Sequence, residues 1–303
     1  MADLSVKIAG VTFKNPIIAA SGTIGFGREY SEFYPLSVFG GISCKGTTLK
    51  ERPGNRPPRI AETPMGMLNA VGLQNPGVEH FIKEDLPWLK QQDTVAIANV
   101  AGSTKEDYCK MAEILSETDI DMIELNISCP NVKEGGVQFG TSCESVAAIT
   151  KAVRAYCKKP LIIKLSPNVA DIAEIAKAAE SEGADAVSLI NTLTGMRIDI
   201  QTRRPIIANN TGGMSGPAVF PVAVRMVWQV KNAVSIPVIG MGGITTWKDA
   251  VEMLIAGADA LQIGTALFTD PYAPVKITEG LNRYLDDHRL SSVTELTHTI
   301  IPN

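Results

Sequence analysis

Cys129 is the residue in this sequence best suited to proton or nucleophile chemistry, and it stands between Asn126 and Asn131. A free thiol has a pKa of about 8.5 that nearby cations lower, so a cysteine can serve as a nucleophile or a general base near neutral pH. One of five cysteines can equally be a buried structural residue. Its place at the end of an apolar run favours the reactive interpretation.

The other apolar runs end in lysines, asparagines and glycines rather than in carboxylates. Lys45, Lys164 and Asn99 stand at such ends, which read A-A-S-G (19–22), C-K-G-T-T (44–48), A-N-V-A-G (98–102), N-I-S-C-P-N (126–131), K-L-S-P-N (164–168), I-N-T (190–192), G-M-G-G-I (240–244) and I-G-T-A (263–266). A magnesium site needs anionic oxygens and a glycosidase needs two carboxylates. Amides beside cations instead suit a planar, electron-poor ring on which negative charge develops.

Glycines after the last two runs predict a phosphate site. The backbone amides of Gly242, Gly243, Gly264 and Thr265 can converge on a phosphate at the position where many barrels bind one. Gly216, in T-G-G-M-S-G-P before a helix, can add another amide. The same glycines can also form tight turns that hold no ligand.

Metal chemistry has no ligand pattern in this sequence. The five cysteines, at 44, 109, 129, 143 and 157, include no C-x-x-C pair, and His80, His288 and His298 stand apart from glycine-rich or carboxylate motifs. We therefore expect no metal site, no iron–sulfur cluster on this chain and reduced cysteines.

Eight short apolar runs alternate with segments of helical character. The predicted strands are residues 16–21, 41–45, 94–100, 122–127, 161–165, 186–191, 237–240 and 260–264. Most are continuously apolar, as parallel strands buried on both faces are. Thr104 with Asp107, and Thr246 with Asp249, predict helix starts of the capping-box type. The pattern predicts an α/β fold.

The length of 303 residues allows either two domains or one large barrel. No Ser/Pro/Gly linker divides the chain, and residues 46–76 contain four closely spaced prolines with little helical periodicity. We interpret that segment as an excursion after the second strand. The prediction is one domain over residues 1–303, a TIM (β/α)8 barrel with loop insertions at its C-terminal face.

Charge and hydropathy limit the partners. With 28 Lys+Arg against 32 Asp+Glu, the chain offers no cation excess for a nucleic acid. Asp3, Lys7 and Lys14 interrupt the apolar core that a signal peptide needs, and no run approaches the length of a membrane span. We expect a cytoplasmic protein without membrane attachment.

The order of these motifs resembles that of class 1 dihydroorotate dehydrogenases, and most closely their 1B subgroup. The similarity extends over essentially the whole chain through N-P-I-I-A-A-S-G-T, C-K-G-T-T, M-L-N-A-V-G-L-Q-N-P-G, N-I-S-C-P-N-V-K-E-G-G-V-Q-F-G-T, K-L-S-P-N, L-I-N-T, G-M-G-G-I and Q-I-G-T-A-L-F. One departure is S-C-E at 142–144, where the family has Asp-Pro-Glu, so Cys143 receives no role.

The resemblance implies one FMN per chain across the barrel mouth. Its phosphate would lie on Gly242, Gly243, Gly264 and Thr265 with Gly216 nearby, and its ring and ribityl chain among Ala20, Ser21, Lys45, Gly46, Asn99, Asn126, Lys164 and Ile190. A cation such as Lys164 there would stabilise the negative charge that reduction places on the ring.

The resemblance also implies oxidation of dihydroorotate to orotate in pyrimidine biosynthesis. The substrate would contact Lys45, Asn69, Ala70, Val71, Gly72, Leu73, Asn126, Asn131, Asn191 and Thr192. Cys129 would remove the C5 proton as general base while hydride leaves C6 for the flavin. Residues 132–141 would form part of a mobile loop over the site; a plain surface loop is the alternative.

The 1B subgroup passes its electrons to NAD⁺ through a separate subunit with FAD and a [2Fe–2S] cluster. The implied assembly is a 2+2 heterotetramer built on a homodimer of catalytic chains. Three alternatives stay open: a class 1A enzyme that uses fumarate, a dihydropyrimidine dehydrogenase-type domain, and a flavin-binding or scaffold barrel without activity. Cys129, Lys45 and Lys164 together argue against the last.

Overall fold

A closed barrel of eight parallel strands forms the centre of the computed structural model, which describes residues 2–127 and 139–303. The strands are β1 Ile17–Ala19, β2 Gly41–Ser43, β3 Val95–Val100, β4 Met122–Asn126, β5 Leu161–Lys164, β6 Ala186–Leu189, β7 Val238–Met241 and β8 Ala260–Ile263. Each pairs with the next along the chain, and β8 pairs with β1. The predicted barrel and all eight of its strands are confirmed.

Burial explains why these runs form strands. Every residue of β1, β2 and β4 to β8 is buried, as expected where helices cover one face of a sheet and the barrel interior the other. The observed strands end one or two residues earlier than most of the predicted ones. The polar residues that follow them turn into the loops at the barrel mouth.

Helices follow the strands and pack around the barrel. Those of ten or more residues within the described ranges are α1 Lys105–Ser116, α2 Cys143–Arg154, α3 Ile172–Ser181, α4 Phe220–Lys231, α5 Trp247–Ala256 and α6 Ala273–Asp287. Shorter turns at Val78–His80, Phe81–Asp85 and Leu86–Leu89 follow β2. Both predicted capping boxes are present at the starts of α1 and α5.

Two insertions at the barrel mouth meet in one antiparallel sheet. The hairpin Ile60–Thr63 and Gly66–Asn69 arises from the predicted excursion after β2, and Gly66–Asn69 pairs with Gly212–Ser215 from the segment after β6. Leu193–Gly195 pairs with the other side of Gly212–Ser215 and forms the edge strand opposite Ile60–Thr63. We call these four strands the cap sheet. A separate hairpin, Val6–Ile8 and Val11–Phe13, precedes the barrel.

The contact between α5 and α6 gives a test of the packing. A Cβ atom added at Gly280 would lie 2.2 Å from Trp247 Cγ, so Gly280→Ala must displace the indole. Overpacking of this kind costs about 1–3 kcal/mol, more than the roughly 1 kcal/mol that alanine gains in a helix. We expect a lower midpoint of chemical unfolding. In a Trp247→Leu background the same substitution should become neutral or stabilising, and an unchanged cost there would contradict this contact.

Candidate functional site

A cavity of ≈ 260 Å³ opens where the barrel strands end. All eight strands or the loops directly after them contribute to its lining, from Ser21 after β1 to Thr265 after β8, and the cap sheet adds one wall through Met67, Asn69 and Ser215. Because the carboxyl ends of parallel strands meet at one face of a barrel, this is where such folds place their chemistry.

Most of the residues proposed from the sequence line this cavity. They are Ala20, Ser21, Lys45, Gly46, Asn69, Val71, Gly72, Leu73, Asn99, Asn126, Lys164, Ile190, Asn191, Thr192, Gly216, Gly242, Gly243, Gly264 and Thr265. Ala70 is fully buried and is not among the lining residues. Cys129, Asn131 and the loop residues 132–138 lie outside the described ranges.

A buried carboxylate lies beneath the cavity. Glu124, in β4, is 0% exposed. Its Oε2 accepts hydrogen bonds from Ser43 Oγ (2.6 Å) and Asn99 Nδ2 (2.7 Å), and its Oε1 accepts bonds from Ser188 Oγ and Gln262 Nε2 (both 2.7 Å). Four donors converge on one side chain inside the barrel, which satisfies an anion that water cannot reach.

Glu124 is held in its ionised form. Desolvation, the strongest single influence, acts to raise its pKa. The positive charge of Lys164 and the hydrogen bonds from Ser43, Ser188 and Gln262 act in the opposite direction, and together they lower the pKa of Glu124 below its ordinary value. Lys164 is itself only 5% exposed, so a cation at the cavity and an anion below it form the charged core of the site.

Two amide oxygens next to Glu124 have no partner among the described residues. Asn99 Oδ1 and Gln262 Oε1 are both buried and make no hydrogen bond within residues 2–127 and 139–303, although both residues line the cavity. A buried acceptor without a partner is costly in a folded protein. A water molecule or a ligand with a hydrogen-bond donor can supply the missing partner.

Asn126 and Asn191 form a second polar pair at the cavity. Asn191 Nδ2 donates to Asn126 Oδ1 at 3.2 Å, and Tyr108 Oη donates to the Asn126 backbone carbonyl at 2.8 Å. The bond from Asn191 orients the Asn126 amide, whose oxygen keeps a second lone pair and whose nitrogen has two N–H groups for further hydrogen bonds.

The segment 69–73 is positioned by asparagines that the sequence interpretation missed. Asn75 Nδ2 donates to the Leu73 carbonyl at 2.7 Å while Asn75 Oδ1 accepts from the Gly77 amide at 2.9 Å. Asn55 Nδ2 donates to the Ala70 carbonyl at 2.9 Å. Asn75 and Asn55 fix the backbone, so the side chains of Val71 and Leu73 are presented to the cavity on a rigid segment.

Two glycines at the glycine-rich end of the cavity differ in the space around them. Gly243 has φ +77°, and an added Cβ would lie 2.7 Å from Phe220 Cβ, so only glycine fits there. Gly264 differs, because an added Cβ would make ordinary 3.5 Å contacts with Ala20 and Thr23. Its surroundings therefore leave space at the cavity wall, as the close approach of an anion to backbone amides requires.

The cavity lining has an amide and cation character, as the strand ends predicted. Its described residues include Lys45, Lys164 and four asparagines, and no Asp or Glu is among them. Glu124 and Gln262 could not be proposed from the strand ends, because both lie within strands. The single charge within the apolar run M-I-E-L-N was the signal that could have identified Glu124, since a lone carboxylate in a buried strand must find partners inside the barrel.

Residues 2–127 and 139–303 bring together no group of three or more His, Cys, Asp or Glu side chains that could hold a metal ion. Within the same ranges, no helix combines the length and the apolar character needed to cross a bilayer.

Comparison with known proteins adds a family match and similar sequences. Residues 3–285 match the family model described as dihydroorotate dehydrogenase. A protein of Bacteroides thetaiotaomicron is 59% identical over 297 residues, which cover 98% of each chain, and a protein of Alkaliphilus oremlandii is 56% identical over 97% of each. A Petrotoga mobilis protein is 53% identical over 98% of this chain and 99% of its own. All three are named dihydroorotate dehydrogenase B (NAD(+)), catalytic subunit.

Proposed function

Because this chain belongs to the dihydroorotate dehydrogenase family, we propose that it oxidises dihydroorotate to orotate, a step of pyrimidine biosynthesis, as the FMN-containing catalytic subunit of an NAD⁺-linked enzyme. The observation that carries the proposal is the cavity at the barrel mouth. The cavity is lined by Lys45, Lys164, amide side chains and a glycine-rich end. The chain also matches its relatives over nearly their whole length.

The residues of the cavity fit a flavin mononucleotide. The unpartnered oxygens of Asn99 and Gln262 suit a ring that carries N–H groups, and Lys164 suits a ring that becomes negative on reduction. The backbone amides of Gly242, Gly243, Gly264 and Thr265 suit a phosphate, with Gly216 nearby. Bound there, the flavin supplies the acceptor for the hydride that leaves C6 of the substrate.

The protein's own residues bind the substrate and move the proton. Lys45 can pair with the carboxylate of dihydroorotate. The polar groups of Asn69, Asn126, Asn131, Asn191 and Thr192 can match the alternating donors and acceptors of its ring, while Val71 and Leu73 contribute apolar contacts. Cys129 removes the proton from C5. The rigid segment 69–73 holds the substrate ring in one orientation, which favours reaction over mere binding.

The electrons then pass to a partner subunit. The names of the relatives specify a catalytic subunit and NAD⁺, which supports a second chain as the site of NAD⁺ reduction. We propose that this partner carries FAD and a [2Fe–2S] cluster, and that two catalytic chains, paired as a homodimer, bind two partner chains.

Anaerobic mixing of the FMN-loaded chain with candidate substrates tests the function. Dihydroorotate should bleach the flavin absorbance near 450 nm, and dihydrouracil should not. Bleaching by dihydrouracil alone would overturn the proposal and point to a dihydropyrimidine dehydrogenase-type activity. Turnover of dihydroorotate with fumarate by the isolated chain would keep the reaction but replace the NAD⁺-linked partner by the class 1A pathway.

Gly264→Ala tests the phosphate end of the cavity. The new methyl group meets only ordinary contacts within the protein, so the free energy of unfolding without flavin should change by less than about 0.5 kcal/mol. It occupies space at the cavity wall, and we expect the dissociation constant of FMN to rise about tenfold or more. Fluorescence titration of the flavin-free protein measures this.

Gly243→Ala is the comparison for that variant. Its positive φ and its 2.7 Å approach to Phe220 predict loss of both stability and FMN affinity. If Gly264→Ala binds FMN as tightly as the unaltered chain, the phosphate does not lie at this glycine.

A further inference from the structure

Glu124 does not line the cavity, yet it contacts residues that do. Asn99 and Gln262 each donate one hydrogen bond to it, and both line the cavity. The charge of Lys164, a third lining residue, acts on it. Ser43 and Ser188, which are both fully buried, donate the other two hydrogen bonds. The carboxylate therefore hydrogen-bonds to lining residues on β3 and β8 and interacts electrostatically with one on β5.

An ionised carboxylate can only accept hydrogen bonds, and this decides how its amide neighbours are oriented. Asn99 Nδ2 and Gln262 Nε2 must face Glu124, because the reverse orientation would set an amide oxygen against a negative oxygen. The amide oxygens are then turned away from Glu124, where they stand buried and without a partner among the described residues. Each oxygen therefore has acceptor capacity that the described residues leave unused, on a residue that lines the cavity.

The same carboxylate offsets the cation of the site. Glu124 is fully buried and Lys164 is 5% exposed, so solvent screens their interaction weakly. A ligand in the cavity experiences the positive charge of Lys164 reduced by the negative charge below it. Loss of the carboxylate would leave a stronger positive potential at the cavity.

We propose that Glu124 is a positioning residue that fixes Asn99 and Gln262 with their oxygens toward the cavity and moderates the positive charge of Lys164, so that the site selects a ring with hydrogen-bond donors and sets the redox potential of that ring. This inference rests on the proposed function, in which the ring is the flavin. The role is exerted through neighbouring side chains, since Glu124 itself is not a lining residue.

Glu124→Gln tests both parts of the role. A glutamine keeps the shape of the side chain but replaces one of the two acceptor oxygens with an NH₂ group. The two groups that donated to that oxygen would then face another donor. The serine hydroxyls can rotate, whereas Asn99 or Gln262 must turn over and present NH₂ to the cavity. We expect FMN to bind about tenfold more weakly. We also expect the reduced flavin to be favoured at least tenfold more, which is a shift of about 30 mV to more positive potential for two electrons.

The FMN affinity and the redox potential of the bound flavin are both measured without the substrate. Flavin-free protein is titrated with FMN by fluorescence, and the loaded protein is reduced with dithionite in the presence of a reference dye. Asp85→Asn is the matched control, because Asp85 is a buried carboxylate that does not line the cavity. It should leave FMN affinity and potential unchanged even if the fold is less stable.

Gln262→Met is the second variant, in case Glu124→Gln does not fold. Methionine is close in size and lacks both amide atoms, while the carboxylate and Lys164 remain. We expect tenfold weaker FMN binding with a potential within a few millivolts of the unaltered chain. Unchanged affinity in Gln262→Met, or unchanged affinity and potential in Glu124→Gln, would overturn the inference. Failure of the unaltered chain to bind FMN would instead contradict the proposed function.

Discussion

Cys129→Ala should retain FMN and lose nearly all dihydroorotate oxidation at neutral pH. A positioned general base contributes about 10²–10⁴-fold to a rate, and alanine has no group that can accept the C5 proton. The flavin contacts that we propose come from other residues, so the ratio of FMN to protein should stay near that of the unaltered chain. Steady-state turnover and single-turnover flavin reduction measure the loss.

The pH profile gives the second readout for Cys129. The base must be deprotonated to act, so the kcat/KM of the unaltered chain should rise with pH and level off once the thiolate predominates. The residual activity of Cys129→Ala should lack that rise. Cys143→Ala is the matched control, because Cys143 is exposed at the start of α2. Near-normal turnover by Cys129→Ala would remove this residue from the mechanism.

Lys164→Met should lower turnover about 10²–10³-fold, the size of effect expected when one preorganised charge-stabilising group is removed. The methionine preserves length at a nearly buried position but carries no charge. Without the cation, the bound flavin should have a more negative potential, the opposite of the shift expected for Glu124→Gln. Reductive titration of the two variants side by side tests whether their flavin potentials shift in opposite directions.

Acid stability provides an independent check on Lys164. Because the folded pKa of Glu124 lies below its ordinary value of 4.5, the ionised carboxylate stabilises the fold above about pH 4.5 and this stabilisation is lost as pH falls through the folded pKa. Removal of the Lys164 charge raises that folded pKa. Lys164→Met should therefore unfold at a higher pH during acid titration, while the exposed Lys248→Met should not. Identical acid midpoints would argue against coupling between Lys164 and Glu124.

The barrel could be predicted from the sequence because its strands are short apolar runs in which nearly every residue is buried. Leu161–Lys164 and Ala260–Ile263 are examples of such runs. The capping boxes at Thr104 and Thr246 mark the starts of two of the helices that follow strands. The cap sheet could not be predicted in the same way. Its hairpin strand Ile60–Thr63 alternates between exposed and half-buried residues, and its stabilising partner Gly212–Ser215 is remote in the chain.

The candidate site, like the fold, could be predicted from the sequence only in part. Residues at strand ends, such as Lys45, Asn126 and Gly264, could be proposed because parallel strands bring their ends together. Glu124, within β4, could not be placed without knowing which donors the other strands direct toward the barrel axis. Gln262 was missed for the same reason, since its amide matters through a contact with a residue 138 positions away.

The pairing of Met67 with Ser215 in the cap sheet has a consequence for biosynthesis. A chain emerging from the ribosome can form the hairpin of residues 60–69 early, but its partner strand appears only after β3, β4, β5 and β6 have been synthesised. Closing a loop of that length is slow, so one wall of the cavity is completed late. A nascent chain that stops before residue 212 contains most of the barrel strands but has no finished chamber in which to retain a ligand.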